Sequence, residues 1–301
     1  MNKNFSQQKS LSNFLKNKTA FTLLELVIVM MLISIIVAGI MQGSSLVTSS
    51  RLASARSLTS RAPISNISGL IAWFEASHKN SFLTTQTVND ANIGEWRDIS
   101  PSSILNQRNK LAKIANTNIK YQIASIGKIP AVNFNNNDKI SLINFYQGIL
   151  NRATICIVFR PNFTPTTIPV VLVDSYFNQS AFYLAIKNNT VNLNAGIDAN
   201  TSTLTNSANF VNGRDYVACA IFNNTQSGAY VNNALTLIGG AYISAGTNSM
   251  NGLTVGSDRS GLSAFKGFIA EVIIYNRPLK LQERRDVMIY LAKKYRINII
   301  S

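Results

Sequence analysis

The chain has 301 residues, 46% of them hydrophobic and 14% charged, which is enough to bury one large core or two modest ones. Twenty-eight Lys and Arg against 13 Asp and Glu give a formal charge of +15, but no arginine-rich run or interleaved aromatic patch marks a nucleic-acid module. With two cysteines and a single histidine, His78, a zinc site, a Ser-His-Asp triad and a Cys-His dyad all lack parts.

The first 20 residues form a basic leader carrying Lys3, Lys9, Lys16 and Lys18 and no acidic residue. Phe21 to Met41 then read FTLLELVIVMMLISIIVAGIM, an apolar block that as a helix spans about 31 Å, against a bilayer core of about 30 Å. The lysines ahead of it favour a cytoplasmic leader and place the remainder outside. An ordinary secretory signal fits poorly, because its apolar region would be shorter and its small-residue cleavage site would follow that region. Glu25 stands out as a carboxylate in this block, so a partner or a position at the membrane edge is expected. From Gln42 to Ala62 the pattern becomes amphipathic, with Leu46, Leu52, Ala53 and Leu58 among Ser, Thr, Arg51, Arg56 and Arg61. The expected anchor and assembly helix is thus 21–62, ended by Pro63.

Beyond Ile67 the period changes to two, in short apolar runs separated by Asn- and Gly-rich turns. Expected strands are Gly69–Phe74, Ala131–Phe134, Thr154–Arg160, Val170–Ser175, Phe182–Lys187, Thr190–Ile197, Tyr216–Asn223, Gly228–Val231, Leu253–Ser257 and Phe265–Tyr275. Asn232-Asn233 fits a tight hairpin turn. Many strands without interleaved helices predict a mainly β chain, with residues 67–301 as an antiparallel sandwich. One helix closes it, with Leu281, Met288, Leu291 and Tyr295 as its apolar stripe and Arg284, Arg285, Lys293 and Lys294 facing elsewhere. Cys156 and Cys219 lie in strand-like runs. They fit two buried apolar side chains or, in an exported domain whose strands are neighbours, a cross-strand disulfide.

Two segments carry family resemblances. KTAFTLLELVIVM resembles the type IV prepilin motif: a basic leader, a small residue, Phe-Thr-Leu, then Glu ahead of an unbroken apolar run. The resemblance implies that prepilin peptidase cuts between Ala20 and Phe21 and methylates the new amine. It also implies that Glu25 neutralises that amine on a neighbouring pilin or pseudopilin subunit. Gly usually precedes the cut; here Ala20, the smallest substitute, stands in its place. The second resemblance is to the concanavalin A-like, laminin G-type family, carried by GLIAWFEAS, by Trp96-Arg97-Asp98-Ile99-Ser100, by Ile129–Phe134, by ATICIVFR and by FKGFIAEVIIYNRPLKLQERRDVMIYLAKKYRI. Lys280 departs from that family's Ser or Thr helix cap, since a lysine accepts no hydrogen bond and opposes the helix dipole.

Each tempting site residue has a plain counterpart. Trp73, Phe74 and Trp96 would form a sugar-stacking platform, but their framework positions favour core packing. Asp98 and Glu271 look like an acid–base pair, and a carboxylate bonded to turn amides explains each better. No carboxylates alternate along one strand as in sandwich-fold glycosidases, which argues against an enzyme. Some laminin G-type domains bind calcium, yet Asp138, Asp174, Asp198 and Asp258 form no dense ligand run, so no cofactor is expected. His78 is expected in an exposed turn. The combined reading is a minor pilin or pseudopilin-like protein of the bacterial inner membrane, its domain in the periplasm or on the surface, binding a glycan or a surface protein. The alternative is a structural subunit of a type II secretion or pilus machine without a free ligand, and a third reading, an exported carbohydrate-active enzyme, is opposed by the missing carboxylate cluster.

Overall fold

The computed structural model describes residues 22–104, 109–113, 117–135, 137–163, 168–176, 182–188, 190–195 and 210–301. The chain divides into two compact units at Val47/Thr48. In the first unit, helix α1 (Leu23–Ser60) runs from its start to Val47, and its large apolar side chains are exposed all round, from Val29 at 47% to Leu23 at 82%. A helix apolar on every face needs lipid or other helices around it. Its apolar run is long enough to cross a membrane.

The second unit begins with the last turns of α1. Ala55 and Thr59 are the residues this segment buries, Leu58 packs partly, and Leu46 of the expected stripe is exposed. Small side chains let the helix approach closely. After Ser60 the bonding tightens, with Arg61 N–H donating to Leu58 O and Ala62 N–H to Thr59 O, and Pro63 opens a 3₁₀ turn. The strands follow as β1 (Leu70–Glu75), β2 (Glu95–Arg97), a single helical turn α2 (Pro101–Ile104), β3 (Lys110–Lys113), β4 (Lys120–Gln122), β5 (Ala131–Phe134), β6 (Ile140–Leu142) and β7 (Ala153–Pro161). Next come β8 (Val170–Asp174), β9 (Tyr183–Lys187), β10 (Thr190–Asn194), β11 (Tyr216–Phe222), β12 (Gly228–Val231), β13 (Leu253–Val255), β14 (Gly267–Tyr275) and the closing helix α3 (Leu281–Tyr295).

They form two seven-stranded antiparallel sheets, the sandwich read from the pattern. One has the order β12-β11-β7-β14-β5-β4, with β1 lying on β14; the other runs β10-β9-β8-β13-β6-β3-β2. Ile155, Ile157 and Phe159 of β7 point between the sheets, where they join Phe74, Trp96, Phe134, Phe222 and Phe265. The alternate residues Cys156 and Val158 point outward, under Val287, Met288, Leu291 and Tyr295 of α3. Covered on both faces, this strand reads as a continuous apolar run.

Three expectations are corrected. Leu281 is 52% exposed at the helix start, and Val287 takes its place in the stripe. Arg284 and Lys294, expected to face elsewhere, are buried at 5% and 3%. Asn232-Asn233 closes no hairpin. The Asn232 side chain accepts from Val217 N–H, while Asn233 caps the following turn through Leu235 and Thr236 N–H. Strands β2, β3, β4 and β6 lie outside the expected set.

Candidate functional site

At the start of α1, Thr22 and Glu25 bond reciprocally. Thr22 N–H and its hydroxyl both donate to Glu25 Oε2, at 2.8 and 2.9 Å, and Glu25 N–H donates to Thr22 Oγ1 at 3.2 Å. This is the Ser/Thr-x-x-Glu capping box, in which the carboxylate satisfies groups the helix leaves unpaired. Ala20 and Phe21, the candidate processing residues, and the lysines ahead of them lie outside the described residues.

The aromatic candidates are core. Trp73 is 5% exposed, and Phe74 and Trp96 are fully buried, with Trp96 packed between Phe74 and Phe82. Asp98 bonds to backbone amides, accepting from Trp73 and Ser100 N–H at 2.8 Å each and from the Asn109 side chain. Glu271 bonds to no turn amide, against expectation. It lies opposite Glu75 across the β1–β14 pair, and both face Lys294 Nζ, at 2.6 Å from Glu75 and 2.8 Å from Glu271. Trp73 Nε1, Tyr290 OH and Tyr295 OH also donate to Glu271, and Lys294 donates to Thr59 Oγ1 of α1 at 2.9 Å. Complete burial pushes the Glu271 carboxyl above its ordinary range, against the pull of Lys294. This cluster ties the end of α1 to α3 and to the sheet.

His78 is half-buried rather than exposed, its Nδ1 accepting from Asn80 N–H, and burial pushes it below its ordinary range. Asp138 accepts from Asn118 and Asn135 N–H, Asp174 from Ser175, Phe182 and Arg259 N–H, and Asp258 from Ser263 N–H. Asp198 lies outside the described residues. Among the described residues, no three of His, Cys, Asp and Glu gather as a metal site. Cys156 and Cys219 are directly opposed in the β7–β11 register and joined as a disulfide beneath α3.

Two grooves draw on the turn between β11 and β12, which gives Asn224 to the first and Asn223 and Gln226 to the second. The first, of about 560 Å³, is lined by Gln147, Ile149, Leu150, Asn151, Arg152, Asn224, Thr247 and Asn276. Gln147 already donates to Ile71 O and accepts from Asn109 Nδ2, and Asn151 accepts from Ser249 Oγ; Asn224, Asn276 and the exposed Arg152 complete the polar lining, and no carboxylate enters it. The second, of about 460 Å³, holds Tyr230, Tyr242, Lys280 and Arg284 with Asn223, Gln226 and several aliphatic side chains. The Arg284 guanidinium sits 3.6 Å over the Tyr230 ring and donates to Ala234 O. Burial and the neighbouring Tyr242 hydroxyl push the Tyr230 phenol up to about 12. Sequence reasoning passed over both grooves. Their asparagines resemble ordinary turn formers, and Arg284 resembles a solvated helix charge.

Comparison with known proteins gives the class of each part. Residues 15–41 match the prokaryotic N-terminal methylation motif, and residues 134–283 match the concanavalin A-like lectin/glucanases superfamily. The chain thus carries a prepilin-type methylation motif followed by a concanavalin A-like domain. No curated protein matches it. Among solved structures it is similar to Trypanosoma rangeli sialidase in complex with sialic acid, at 18% identity and a TM-score of 0.50, over 75% of this chain and 33% of that one. It is also similar to domain 4 of an extracellular arabinanase from Geobacillus stearothermophilus in complex with arabinotriose. There the identity is 14% and the TM-score 0.52, over 73% of this chain and 98% of that one. The chain spans about a third of the sialidase's length, and at these identities the likeness is one of fold.

Proposed function

We propose that this is a pilin- or pseudopilin-like protein, held in the bacterial inner membrane by α1, whose exported sandwich binds carbohydrate and serves adhesion or ligand capture. The methylation motif supports entry into the prepilin pathway, with a cut between Ala20 and Phe21 and packing of α1 beside other pilin-type helices. The observation that carries the binding reading is the groove lined by the amides of Asn151, Asn224 and Asn276, whose donors and acceptors suit sugar hydroxyls. The arabinanase domain of the same fold, recorded with arabinotriose, supports it by analogy. Catalysis is not part of the reading, because the carboxylates near the fold's centre are already bonded to lysine, arginine or backbone amides.

Two measurements test it. Mass spectrometry of the mature N-terminus should find a methylated Phe21; an intact leader on the membrane-extracted protein removes it from the pilin pathway. A glycan array with the full chain in detergent should find at least one oligosaccharide whose binding falls when Asn151 and Asn276 become alanine. No binding to any sugar, alongside co-purification with pilin subunits, would leave a purely structural subunit instead.

A further inference from the structure

We infer that the groove of Tyr230 and Tyr242 beside the start of α3 is a subsite for the carboxylate-bearing residue of an acidic polysaccharide. This inference rests on the carbohydrate-binding reading and adds a ligand class and a second site to it.

The groove combines an exposed aromatic face with cations. Tyr242 is 54% exposed, and Leu235 and Leu281 beside it are 46% and 52% exposed, giving the apolar surface on which a pyranose ring packs. Lys280 is exposed at the rim, and Arg284 is fixed within the lining by Tyr230 and Ala234 O. Lys280 also precedes the first turn of α3, where the helix dipole favours an anion. No carboxylate lines the groove. The one acidic side chain of that first turn, Glu283, is held by both terminal nitrogens of Arg277, at 2.7 and 2.8 Å, and by Lys280 N–H. Lys280 therefore stands exposed at the rim, with the buried Arg284 behind the Tyr230 ring, and no acidic residue in the lining offsets them. Asn223 and Gln226 add amides for hydroxyls, and the same turn carries Asn224 into the first groove. A polymer can thus lie across both, with sugar hydroxyls on the amides beside Arg152 and its acid on Lys280 in the second groove.

The test uses the full chain in detergent micelles with immobilised polygalacturonate, the same polymer fully methyl-esterified, and neutral galactan. Polygalacturonate should bind about ten-fold tighter than its ester, reflecting one charge-assisted contact, that with the exposed Lys280. Tyr242→Ala should weaken both polymers by about ten-fold. Lys280→Gln should abolish the preference for the acid while leaving the ester bound. Lys293→Gln, which removes the same charge from the exposed far end of α3, should leave the preference intact. Equal binding of acid and ester overturns the subsite, and so does a preference lost equally in the Lys280 and Lys293 variants, which would reflect net charge alone. Retained galactan binding in either case keeps the carbohydrate-binding reading. Binding of none of the three polymers overturns the subsite, and the glycan array then decides the wider reading by itself.

Discussion

Replacing Lys294 with Met would remove the only cation from a fully buried cluster while keeping most of the side-chain volume. In the native protein Lys294 Nζ lies 2.6 Å from Glu75, 2.8 Å from Glu271, 2.9 Å from Thr59 and 3.1 Å from Tyr290. Without it two carboxylates remain opposite each other, with Glu75 bonded to Ser77 and Glu271 to Trp73, Tyr290 and Tyr295. Breaking a buried pair from one side costs about 3–5 kcal/mol, because the remaining charge stays desolvated. In a domain of this size that lowers the melting temperature by roughly 6–20 °C. Fluorescence of the two buried tryptophans, Trp73 and Trp96, reports the unfolding of the full chain in detergent. The variant's Glu271 carboxyl loses the pull of Lys294, so its folded-state pKa rises further. A raised acid binds its proton more tightly in the folded state, and the deficit should therefore shrink as the pH falls from about 7 to 4. Glu271→Gln in the same background should recover part of the loss, whereas Glu75→Gln alone should change stability by less than about 1 kcal/mol, since it removes one of two acids sharing one ammonium. A Lys294→Met cost below about 1 kcal/mol would refute the reasoning.

Three further predictions follow from other parts of the fold. Arg277 holds the Glu283 carboxyl down to about 2, from an ordinary 4.5, so its stabilisation is complete above pH 4.5 and is lost as the pH falls towards 2. Glu283→Gln should then cost up to about 1 kcal/mol at pH 7, the partly exposed pair being screened, and almost nothing near pH 2 in urea titrations. The Cys156–Cys219 bridge closes a 63-residue separation, and replacing both with alanine should cost about 2–4 kcal/mol. Thiol titration of the denatured, unreduced chain should find none, and two free thiols would contradict the bridge. Gly127 has φ +59°, and an added Cβ would run into the Tyr295 carbonyl oxygen at the end of α3. Gly127→Ala should therefore destabilise by at least about 2 kcal/mol, and a neutral melting curve would show that this turn yields freely.

What could be read from the sequence depended on how many faces of an element are buried. β7, β11 and β14 are covered by the second sheet on one side and by α3 on the other, so they appear as unbroken apolar runs. β2 and β3 show only Trp96 and Leu111 inward, between Glu95, Arg97, Lys110 and Lys113, and three or four residues are too few to establish a period. The Lys294 cluster was hidden for another reason. Its members come from β1, β14, α1 and α3, and a lysine on a helix looks solvated until its carboxylates arrive by tertiary folding. The Thr22–Glu25 capping box is different. Its Thr-x-x-Glu pattern, three residues from Thr22 to Glu25, is visible in the chain and overlaps the prepilin pattern that contains the same Glu25.

The fate of the acidic residues ties these observations to ligand chemistry. Of 13 carboxylates, Asp198 lies outside the described residues and the other twelve all have bonded partners. Glu25 caps α1; Glu75 and Glu271 share Lys294; Glu95 meets Arg97 and Lys110; Asp215 meets Arg160; and Glu283 meets Arg277. Asp90 and Asp286 bond to side-chain amides, Asp98 and Asp138 to turn N–H groups, Asp174 to Arg259 and Asp258 to its own loop. A retaining or inverting glycosidase needs two carboxylates placed to face its substrate, and neither of the two grooves at the β11–β12 turn has a carboxylate in its lining. The charge balance of +15 therefore lies in cations that outnumber the acids able to meet them. Where such cations line a groove with an exposed tyrosine, as Lys280 and Arg284 do beside Tyr242, the ligand that completes the electrostatics is an anion with a flat apolar face.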